Sequence, residues 1–547
     1  MTASNYTPSP VLGEVIVNQL IRLRVKDAVI SPGSRNAPLT MALWRAATKG
    51  EIRLHTRIDE RSAAFLALGI AKATGLPTPV ICTSGSAAAN FYPALLEAHH
   101  GSHPLIAITA DRPAQLWDTG ANQTTKQAGM FSGADIPTLN LAASGAERGQ
   151  VRHWREALAR EISTKKPSHV NVEFDEPLIG SLLWVEDIDI DVEVPALRQV
   201  QAKKLEKYHQ HGVILVGHDA GGLSFGPIVE FATRTGWPIL SENPLIGSAV
   251  IPHVSLMLAD ANRREMLRPE VVMTVGRLTL SRAINSYISS ARYQIVVDPR
   301  IEEIDTKRHG DEIHLTLPII GKEKDKEREV EPDPSWRERF TELSQKIGAK
   351  LPELLTEWSE AVAIKRIIDE IPNGSTLFIS SSRPIRDVEA FASTRTGIEV
   401  YANRGLAGID GNLSTAFGIA LCRERTYAIV GDLAFLHDIN GLLIGNEELR
   451  PNLTIIAISN DGGGIFSTLP QSDVLGFEKI FGTPHGRDLA KISESYGFDA
   501  ISVRTLDALT SQLARETNGI RVIICEMPDR QSNAQLLKRI TESLALL

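Results

Sequence analysis

Residues 427–466 read YAIVGDLAFLHDINGLLIGNEELRPNLTIIAISNDGGGIF, with two short apolar runs that are each followed by a polar loop. Runs of this length that are rich in isoleucine and valine predict strands buried in a parallel sheet, with a helix between them. Because the carboxyl ends of parallel strands meet at one edge of a sheet, we expect Asp432 and Asn460 to lie together there. The glycines at 462–464 would let the backbone carbonyl of Gly462 approach the same point.

These three residues would offer a metal one carboxylate, one amide oxygen and one backbone carbonyl oxygen. A hard, all-oxygen set with few protein ligands suits Mg²⁺, which completes its octahedron with water and phosphate oxygens. A structural interpretation stays open, because an Asp after a strand is a common helix N-cap and Asn-Asp-Gly is a common turn. The stretch therefore predicts a Mg²⁺-diphosphate site, with two ordinary loop residues as the alternative.

The composition is that of an ordinary globular protein. The chain has 547 residues, 43% of them hydrophobic and 23% charged, and its length predicts three or four domains. The formal net charge is −8 and no basic block occurs, which argues against nucleic acid as a partner. Arginines stand beside glycine-rich loops instead, and this placement favours small anionic ligands.

The cysteines and the start of the chain predict a cytosolic protein. Cys82, Cys422 and Cys525 lie in or beside apolar segments without CxxC spacing, as expected of buried thiols in a reducing compartment. The first residues lack the basic and apolar regions of a signal peptide, and no eighteen apolar residues run together. Neither HExxH nor a Gly-x-Ser-x-Gly elbow occurs, so the sequence favours neither a zinc site nor a serine nucleophile.

Strand and helix signals alternate in three successive series, which predicts three α/β domains with parallel sheets. In the central series Gly217, Gly221 and Gly222 do not complete GxGxxG, so a dinucleotide site is disfavoured. Residues 321–336 combine many charges with two prolines and predict a solvated linker before the third domain. The predicted domains are 1–185, 186–350 and 351–547.

Polar loops with possible binding roles follow predicted strands of the first and third domains. Arg386 stands in the first turns of a predicted helix, and Arg404 stands in a glycine-rich loop. In the loop at 31–35 the backbone amides and the arginine could bind a carboxylate, with an ordinary turn between strand and helix as the alternative. The loops of the first domain are Ser31-Pro32-Gly33-Ser34-Arg35, Asp111-Arg112-Pro113 and Gly120-Ala121-Asn122-Gln123.

Glu60 opens a predicted helix at 60–73 whose continuation is nearly all apolar. An acidic residue in a first turn usually interacts with the helix dipole, and that structural role is the alternative to a catalytic one. The residue types alone leave both roles open.

Gly431-Asp432-Leu433 followed by Ser459-Asn460 resembles the signature of the thiamine diphosphate (ThDP) enzymes, which is Gly-Asp-Gly followed downstream by Asn-Asn. This chain departs from the signature at Leu433 and Ser459 but keeps both proposed ligands. The resemblance implies three doubly wound parallel-sheet domains of the pyruvate-oxidase-like type, in the order pyrimidine-binding, central and diphosphate-binding. It also implies ThDP and Mg²⁺ as cofactors, with Mn²⁺ as a possible substitute.

The resemblance assigns roles at both ends of the cofactor. It implies that Asp432, Asn460 and the Gly462 carbonyl hold the metal, and that Glu60 bonds the aminopyrimidine ring. Ile409 matches the bulky residue that bends the cofactor, with ordinary core packing as the alternative. Further implied cofactor contacts are Ser382, Gly431, Leu433 and Ile465.

Within this group the chain resembles synthases of menaquinone biosynthesis that decarboxylate 2-oxoglutarate and add the product to isochorismate. The blocks that carry the resemblance are SPGSRNAPLT, IDERSAAFLALGIAKATG, TSGSAAANFYPAL, TADRPAQLWDTGANQT, YANRGLAGIDGNLSTA, VGDLAFLHDIN and NDGGGIFSTLPQ. They imply catalytic roles for Arg35, Arg386 and Arg404 besides Glu60. The implied substrate contacts are Ser34, Arg35, Arg112, Gln123, Arg282, Ser382, Arg386, Arg404, Ile465 and Phe466.

The resemblance further implies a homodimer or homotetramer in which each active site takes Glu60 and the metal residues from different chains. Two other functions stay open. One is a different ThDP-dependent decarboxylase or carboligase, which the arginine loops disfavour because a small neutral acceptor needs no such cations. The other is a non-catalytic ThDP-fold binding or regulatory protein, which has no need of Glu60, Asp432 and Asn460 together.

Overall fold

The computed structural model describes residues 7–143, 148–162, 166–180, 201–205, 209–300, 309–320, 332–516 and 518–547. Within these residues the chain forms three sheets of six strands each, and all paired strands run parallel. The prediction of three α/β parallel-sheet domains is therefore confirmed. Most inner strands are short runs buried on both faces, as parallel sheets covered by helices require, whereas edge strands such as β2 and β17 are partly exposed.

The first sheet has the strand order β2-β1-β3-β4-β6-β5, with strands β1 Asp27–Ile30, β2 Arg53–Thr56, β3 Thr78–Cys82, β4 Leu105–Asp111, β5 Thr138–Ala142 and β6 Ser168–Glu173. The single helix predicted at 86–99 is wrong, because the chain forms two helices there, separated at Asn90 and Phe91. The helices of this region are Pro8–Arg22, Ala37–Thr48, Glu60–Thr74, Ser86–Ala89, Tyr92–Gly101 and Arg148–Ile162.

The central sheet has the order β12-β11-β10-β7-β8-β9, with strands β7 Gly212–Val216, β8 Ile239–Ser241, β9 Val250–Ile251, β10 Val271–Val275, β11 Tyr293–Val297 and β12 Glu312–His314. Gly217 has a packing role, because a Cβ there would lie 2.0 Å from the carbonyl oxygen of Arg277. The helices of this region are Phe225–Thr235, Val254–Met257, Ala261–Met266, Arg282–Ile288 and Pro334–Leu354.

The third sheet has the order β14-β13-β15-β16-β18-β17, with strands β13 Ser375–Ile379, β14 Ile398–Tyr401, β15 Thr426–Gly431, β16 Leu453–Ser459, β17 Asp499–Val503 and β18 Ile520–Glu526. The predicted pair of strands in 427–466 is confirmed, since β15 and β16 are parallel neighbours from Thr426↔Leu453 to Gly431↔Ile458. The helices are Glu360–Glu370, Arg383–Phe391, Asn412–Ala420, Asp432–His437, Leu489–Ser495, Leu506–Leu513 and Arg530–Leu544.

The first and third sheets share one topology. Counted from the first strand of each sheet, both have the order 2-1-3-4-6-5. In each sheet the chain passes from the first strand to the second on one side of it, and then crosses over to the third strand on the other side. The crevice between the first and third strands is therefore the topological switch point, where such sheets bind ligands. In the third sheet this crevice lies between the carboxyl ends of β13 and β15.

The charged segment predicted as a linker is shorter than 321–336. Residues 321–331 lie outside the described part of the chain, but Pro334, Ser335 and Trp336 form the first turn of the helix Pro334–Leu354. Trp336 is buried and its Nε1 donates a hydrogen bond to the carbonyl of Gly212, so this end of the segment packs on β7. In the described residues no helix has both the length and the apolar character needed to cross a bilayer.

The chain divides into two compact units, which are Met1–Arg198 with Asp410–Glu424 and His437–Pro451, and Gln199–Ile409 with Arg425–Leu436 and Asn452–Leu547. In the first unit the helix Glu60–Thr74 packs closely on the helix Asn412–Ala420. A Cβ on Gly69 would lie 2.2 Å from the carbonyl oxygen of Thr415, and one on Gly418 would lie 2.2 Å from that of Leu66. The two glycines therefore set the distance between these helices.

We expect Gly69→Ala to lower the free energy of unfolding by about 1–3 kcal/mol, because the added methyl group has no space against backbone atoms. Gly149→Ala is the matched control, since a Cβ on Gly149 would meet no atom within 4 Å. The control should change stability by less than about 1 kcal/mol. Urea denaturation measures both, and equal stability of the two variants would contradict the close contact.

Candidate active site

A cavity of about 150 Å³ lies at the carboxyl edge of the third sheet. It is bounded by the residues that follow β13, β15 and β16, and so it occupies the switch point of that sheet. All of its lining residues belong to the second compact unit. They are Glu360, Ser381, Ser382, Arg383, Pro384, Ile409, Gly431, Asp432, Leu433, Ala434, Ile458, Asn460, Gly462, Gly463, Gly464, Ile465 and Phe466.

Asp432 connects the loops that follow β15 and β16. Its side chain is buried, and Oδ2 accepts hydrogen bonds from the backbone N–H groups of Asn460 at 3.0 Å and Gly462 at 2.9 Å. Oδ1 accepts from the backbone N–H of Leu433 at 2.7 Å. The residue starts the helix Asp432–His437, so a structural role at the helix start and a binding role coincide here.

Asn460 lies beside Asp432, as the sequence predicts. Its Nδ2 donates a hydrogen bond of 2.8 Å to Oε1 of Glu360, while its Oδ1 has no hydrogen-bond partner among the described residues. A Cβ on Gly464 would lie 2.3 Å from Nδ2, so any larger residue at position 464 would clash with the Asn460 amide in this position. Burial and the nearby Asp387 raise the pKa of the Glu360 carboxyl to about 7.

Gly462 has a backbone conformation that other residues adopt only with strain. Its φ is +133°, and a Cβ would lie 2.0 Å from the carbonyl oxygen of Gly482. Its own carbonyl oxygen accepts a hydrogen bond of 2.9 Å from the N–H of Gly464. A carbonyl has two lone pairs, so one remains that can bind a cation.

The donor set fits a divalent cation bound together with phosphate. Buried Asp432 supplies the carboxylate, and Asn460 supplies a buried amide oxygen for which the described part of the chain provides no hydrogen-bond partner. No cluster of three or more His, Cys, Asp or Glu side chains suited to a metal occurs in the described ranges. A site with so few protein ligands leaves several positions to water and phosphate, which is the coordination that Mg²⁺ prefers.

The cavity also contains the other residues for which a cofactor role was predicted in the third domain. Ile409, Ile465 and Phe466 form apolar walls. Ser382 has a φ of +77°, an unusual value for a residue other than glycine, and such values occur often at binding sites. Gly431 and Leu433 complete the set, and a Cβ on Gly431 would meet no atom within 4 Å.

Arg386 and Arg404 both contact the loop that follows β10. Arg386 donates from Nε to the carbonyl of Leu280 at 3.1 Å, and Arg404 donates from Nη2 to Oγ1 of Thr279. Burial and the nearby Arg404 lower the pKa of Arg386. Arg282, which was also predicted to contact substrate, is exposed at the start of the helix Arg282–Ile288.

Glu242, which follows β8, binds the backbone of the same loop after β10. It is buried, and its Oε1 accepts from the N–H groups of Thr279 at 2.8 Å and Leu280 at 2.7 Å. Burial raises the pKa of this carboxyl. The loop that positions the two arginines is thus fixed by a carboxylate of the central region.

In the first unit, the predicted substrate residues follow β1 and β4, which lie on either side of β3 in the first sheet. Arg112, after β4, donates from Nη1 to Oγ of Ser84 and to the carbonyl oxygen of Gln123, the latter at 2.9 Å. Burial and the nearby Arg35 lower the pKa of Arg112, so the two guanidinium groups lie close enough to repel each other. Ser34 is exposed immediately before Arg35.

Arg35, which follows β1, is held by residues that follow β6. Its Nη1 donates to the carbonyl of Phe174 at 2.9 Å, and its Nη2 lies 3.3 Å from Glu176 Oε1. Gln123 is exposed and has a φ of +54°. Its loop is anchored by Gln127, whose buried side chain accepts a hydrogen bond from the N–H of Gly85 at 2.7 Å.

Glu60 is the first residue of the helix Glu60–Thr74. The helix is capped by Asp59, whose Oδ1 accepts from the N–H groups of Arg61 at 2.9 Å and Ser62 at 3.2 Å. The helix start therefore does not depend on Glu60. Burial and, to a smaller extent, the Glu60 carboxyl raise the pKa of the buried Cys82 thiol at the end of β3.

Four side chains of these sites are not among the predicted residues. They are Glu360, Glu242, Gln127 and His485, whose Nε2 lies 3.4 Å from Asp432 Oδ2. The hydrogen bond to Asp432 raises the pKa of His485. In the sequence each is a single polar residue in a helix start or a loop, and their partners lie far along the chain.

Three family profiles match the chain in sequence. They are described as "Thiamine pyrophosphate enzyme, N-terminal TPP binding domain" over residues 11–130, "Middle domain of thiamine pyrophosphate" over 188–379, and "Thiamine pyrophosphate enzyme, C-terminal TPP binding domain" over 388–526. Together with the fold and the cavity, these matches define a thiamine diphosphate-dependent enzyme.

Full-length relatives give the narrower family. The chain is 38% identical to a 2-succinyl-5-enolpyruvyl-6-hydroxy-3-cyclohexene-1-carboxylate (SEPHCHC) synthase of Saccharopolyspora erythraea, over 94% of this chain and 95% of the relative. It is 36% identical to the SEPHCHC synthase of Thermobifida fusca, over 98% and 99%, and 33% identical to that of Bacillus cytotoxicus, over 96% and 94%. The chain belongs to the SEPHCHC synthase family.

Proposed function

We propose that this protein decarboxylates 2-oxoglutarate and adds the resulting four-carbon unit to isochorismate in a 1,4-addition, which gives SEPHCHC and CO₂ for menaquinone biosynthesis. The observation that carries the proposal is the position of Asp432 beside Asn460 at the switch point of the third sheet, where the Asn460 amide oxygen has no hydrogen-bond partner among the described residues. The family membership supports the choice of substrates.

Mg²⁺ would be held by Asp432, Asn460 and the carbonyl of Gly462, and the diphosphate would lie on the metal within the same cavity. Mn²⁺ has the same preference for oxygen ligands and is the natural substitute. Bound ThDP supplies the carbanion chemistry that decarboxylation and addition require. Glu60 would bond the aminopyrimidine ring and hold a proton at its ring nitrogen, and Ile409 would support the bent shape of the cofactor.

Both proposed substrates are dicarboxylates, and the site residues are correspondingly rich in arginine. Arginine suits carboxylates because its planar fork binds two oxygens at once. We assign substrate binding to Arg35, Arg112, Arg386 and Arg404, assisted by Ser34, Gln123, Ser382 and Arg282, with Ile465 and Phe466 as apolar walls.

The active site would be assembled between two chains of a homodimer or of a dimer of dimers. The cavity around Asp432 is lined by the second unit, whereas Glu60 belongs to the first, and the proposed cofactor must reach both. In this assignment residues 1–185 bind the pyrimidine end and residues 351–547 bind the diphosphate end, with 186–350 as the central domain. The three free cysteines agree with a cytosolic location.

The test is to incubate the protein with ThDP, Mg²⁺, 2-oxoglutarate and isochorismate and to follow the absorbance of isochorismate. Loss of absorbance should require all four components. Loss that persists when any one is omitted would refute the synthase activity. Rapid CO₂ release from 2-oxoglutarate without isochorismate would favour a simple decarboxylase instead.

We expect Arg386→Lys to raise the KM for at least one of the two dicarboxylates by about tenfold, because lysine keeps the charge but loses the fork. Arg395→Lys is the matched control, since Arg395 instead donates to Oδ1 of Asn373 and to the carbonyl of Ile368. Steady-state kinetics with each substrate varied in turn measures both variants. An unchanged KM for both substrates in Arg386→Lys would remove Arg386 from the substrate site.

A further inference from the structure

Asn460 and Glu360 form a buried pair at the edge of the cavity. Glu360 is 1% exposed, and its Oε1 accepts the hydrogen bond from Asn460 Nδ2 at 2.8 Å. The remaining oxygens, Asn460 Oδ1 and Glu360 Oε2, have no hydrogen-bond partner among the residues that the structure describes. Both side chains line the cavity, so the pair has unsatisfied acceptors at a proposed cation site.

We propose that Glu360 is a positioning residue that orients the Asn460 amide, so that Oδ1 rather than Nδ2 is available to the metal. A side-chain amide has a donor end and an acceptor end of nearly the same shape, and only the acceptor can bind a cation. In its ionised form the Glu360 carboxyl accepts a hydrogen bond from Nδ2 in one orientation of the amide and repels Oδ1 in the other. The inference rests on the proposed Mg²⁺ site and adds a residue to it.

Two further contacts favour this role over a purely structural one. The helix that Glu360 starts is capped by Ser359, whose Oγ accepts from the N–H of Val362, so the cap does not require Glu360. Gly464 leaves space for Nδ2, because a Cβ there would lie 2.3 Å from this atom. The amide nitrogen thus has a hydrogen-bond partner and a space beside Gly464, whereas the amide oxygen has no hydrogen-bond partner within the described ranges.

The test compares two substitutions of similar size. Glu360→Gln keeps an oxygen that can accept from Nδ2, whereas Glu360→Met fills the space without an acceptor. At saturating ThDP we expect the Met variant to bind Mg²⁺ about 10–100-fold more weakly, as is usual for loss of a residue that orients a metal ligand, and the Gln variant to stay within about threefold. Calorimetry measures the affinity without turnover.

Glu389→Met is the matched control, because Glu389 is also a buried acceptor but its partner is the N–H of Ser255. It should leave the Mg²⁺ affinity unchanged. If Glu360→Met does not fold, Gly464→Ala displaces the same amide nitrogen and should also weaken Mg²⁺ binding.

Wild-type affinity in Glu360→Met or, where that variant does not fold, in Gly464→Ala would overturn the inference, as would equal weakening in the Gln and Met variants. ThDP binding by the wild type that does not depend on Mg²⁺ would instead refute the proposed metal site on which the inference rests.

Discussion

Replacing Asp432 with asparagine should abolish Mg²⁺-dependent binding of ThDP and lower turnover by about 10³-fold or more, a loss of roughly 4 kcal/mol of transition-state stabilisation. Asp432 supplies the only carboxylate of the proposed metal set. Its two oxygens also accept three backbone N–H groups, those of Asn460 and Gly462 at Oδ2 and that of Leu433 at Oδ1. An asparagine has one oxygen for these donors, so the variant loses the charge and, in either orientation, its amide nitrogen opposes at least one N–H.

Asp461→Asn is the matched control for this prediction. Asp461 stands in the same loop, but it is not among the residues that line the cavity around Asp432. Its Oδ1 accepts from the N–H groups of His485 at 2.9 Å and Gly486 at 2.7 Å, and an asparagine oxygen can do the same. ThDP titration with and without Mg²⁺ separates the two variants, and Mg²⁺-dependent binding that survives in Asp432→Asn would exclude Asp432 as a ligand.

The position of Asp432 beside Asn460 could be predicted because it depends on local pattern and on one property of parallel sheets. Two apolar runs set β15 and β16, and parallel pairing brings their carboxyl ends to one edge. Arg35 and Arg112 also follow parallel strands of one sheet, but β3 lies between β1 and β4, and local patterns do not give that strand order. Sequence patterns therefore predict which residues reach the carboxyl edge, whereas the strand order determines which of them are neighbours.

Glu360 could not be predicted, because its role depends on a contact across 100 residues of sequence. The segment around it has the pattern of an ordinary helix start, with Ser359 as the cap and an acid in the first turn. Glu242 is similar, since its partners Thr279 and Leu280 use backbone N–H groups that leave no trace in side-chain identity. Such supporting residues emerge only from the packed structure.

Replacing Glu60 with glutamine should leave ThDP binding nearly unchanged while lowering turnover by about 10²–10⁴-fold, the usual contribution of a positioned acid or base. Glutamine keeps the size of the side chain but cannot hold a proton for the ring nitrogen. Because Asp59 caps the helix, the substitution should not disturb the fold. Near-normal turnover with intact ThDP affinity would reduce Glu60 to a residue of the helix start.

Mixing this variant with Asp432→Asn tests whether each site takes residues from two chains. If it does, co-expression of the two inactive variants in equal amounts should restore about a quarter of wild-type activity, because that fraction of sites pairs an intact Glu60 with an intact Asp432. If both residues served one site within a chain, every chain would carry a defect and no activity would return. The size of the recovered activity therefore distinguishes the two arrangements.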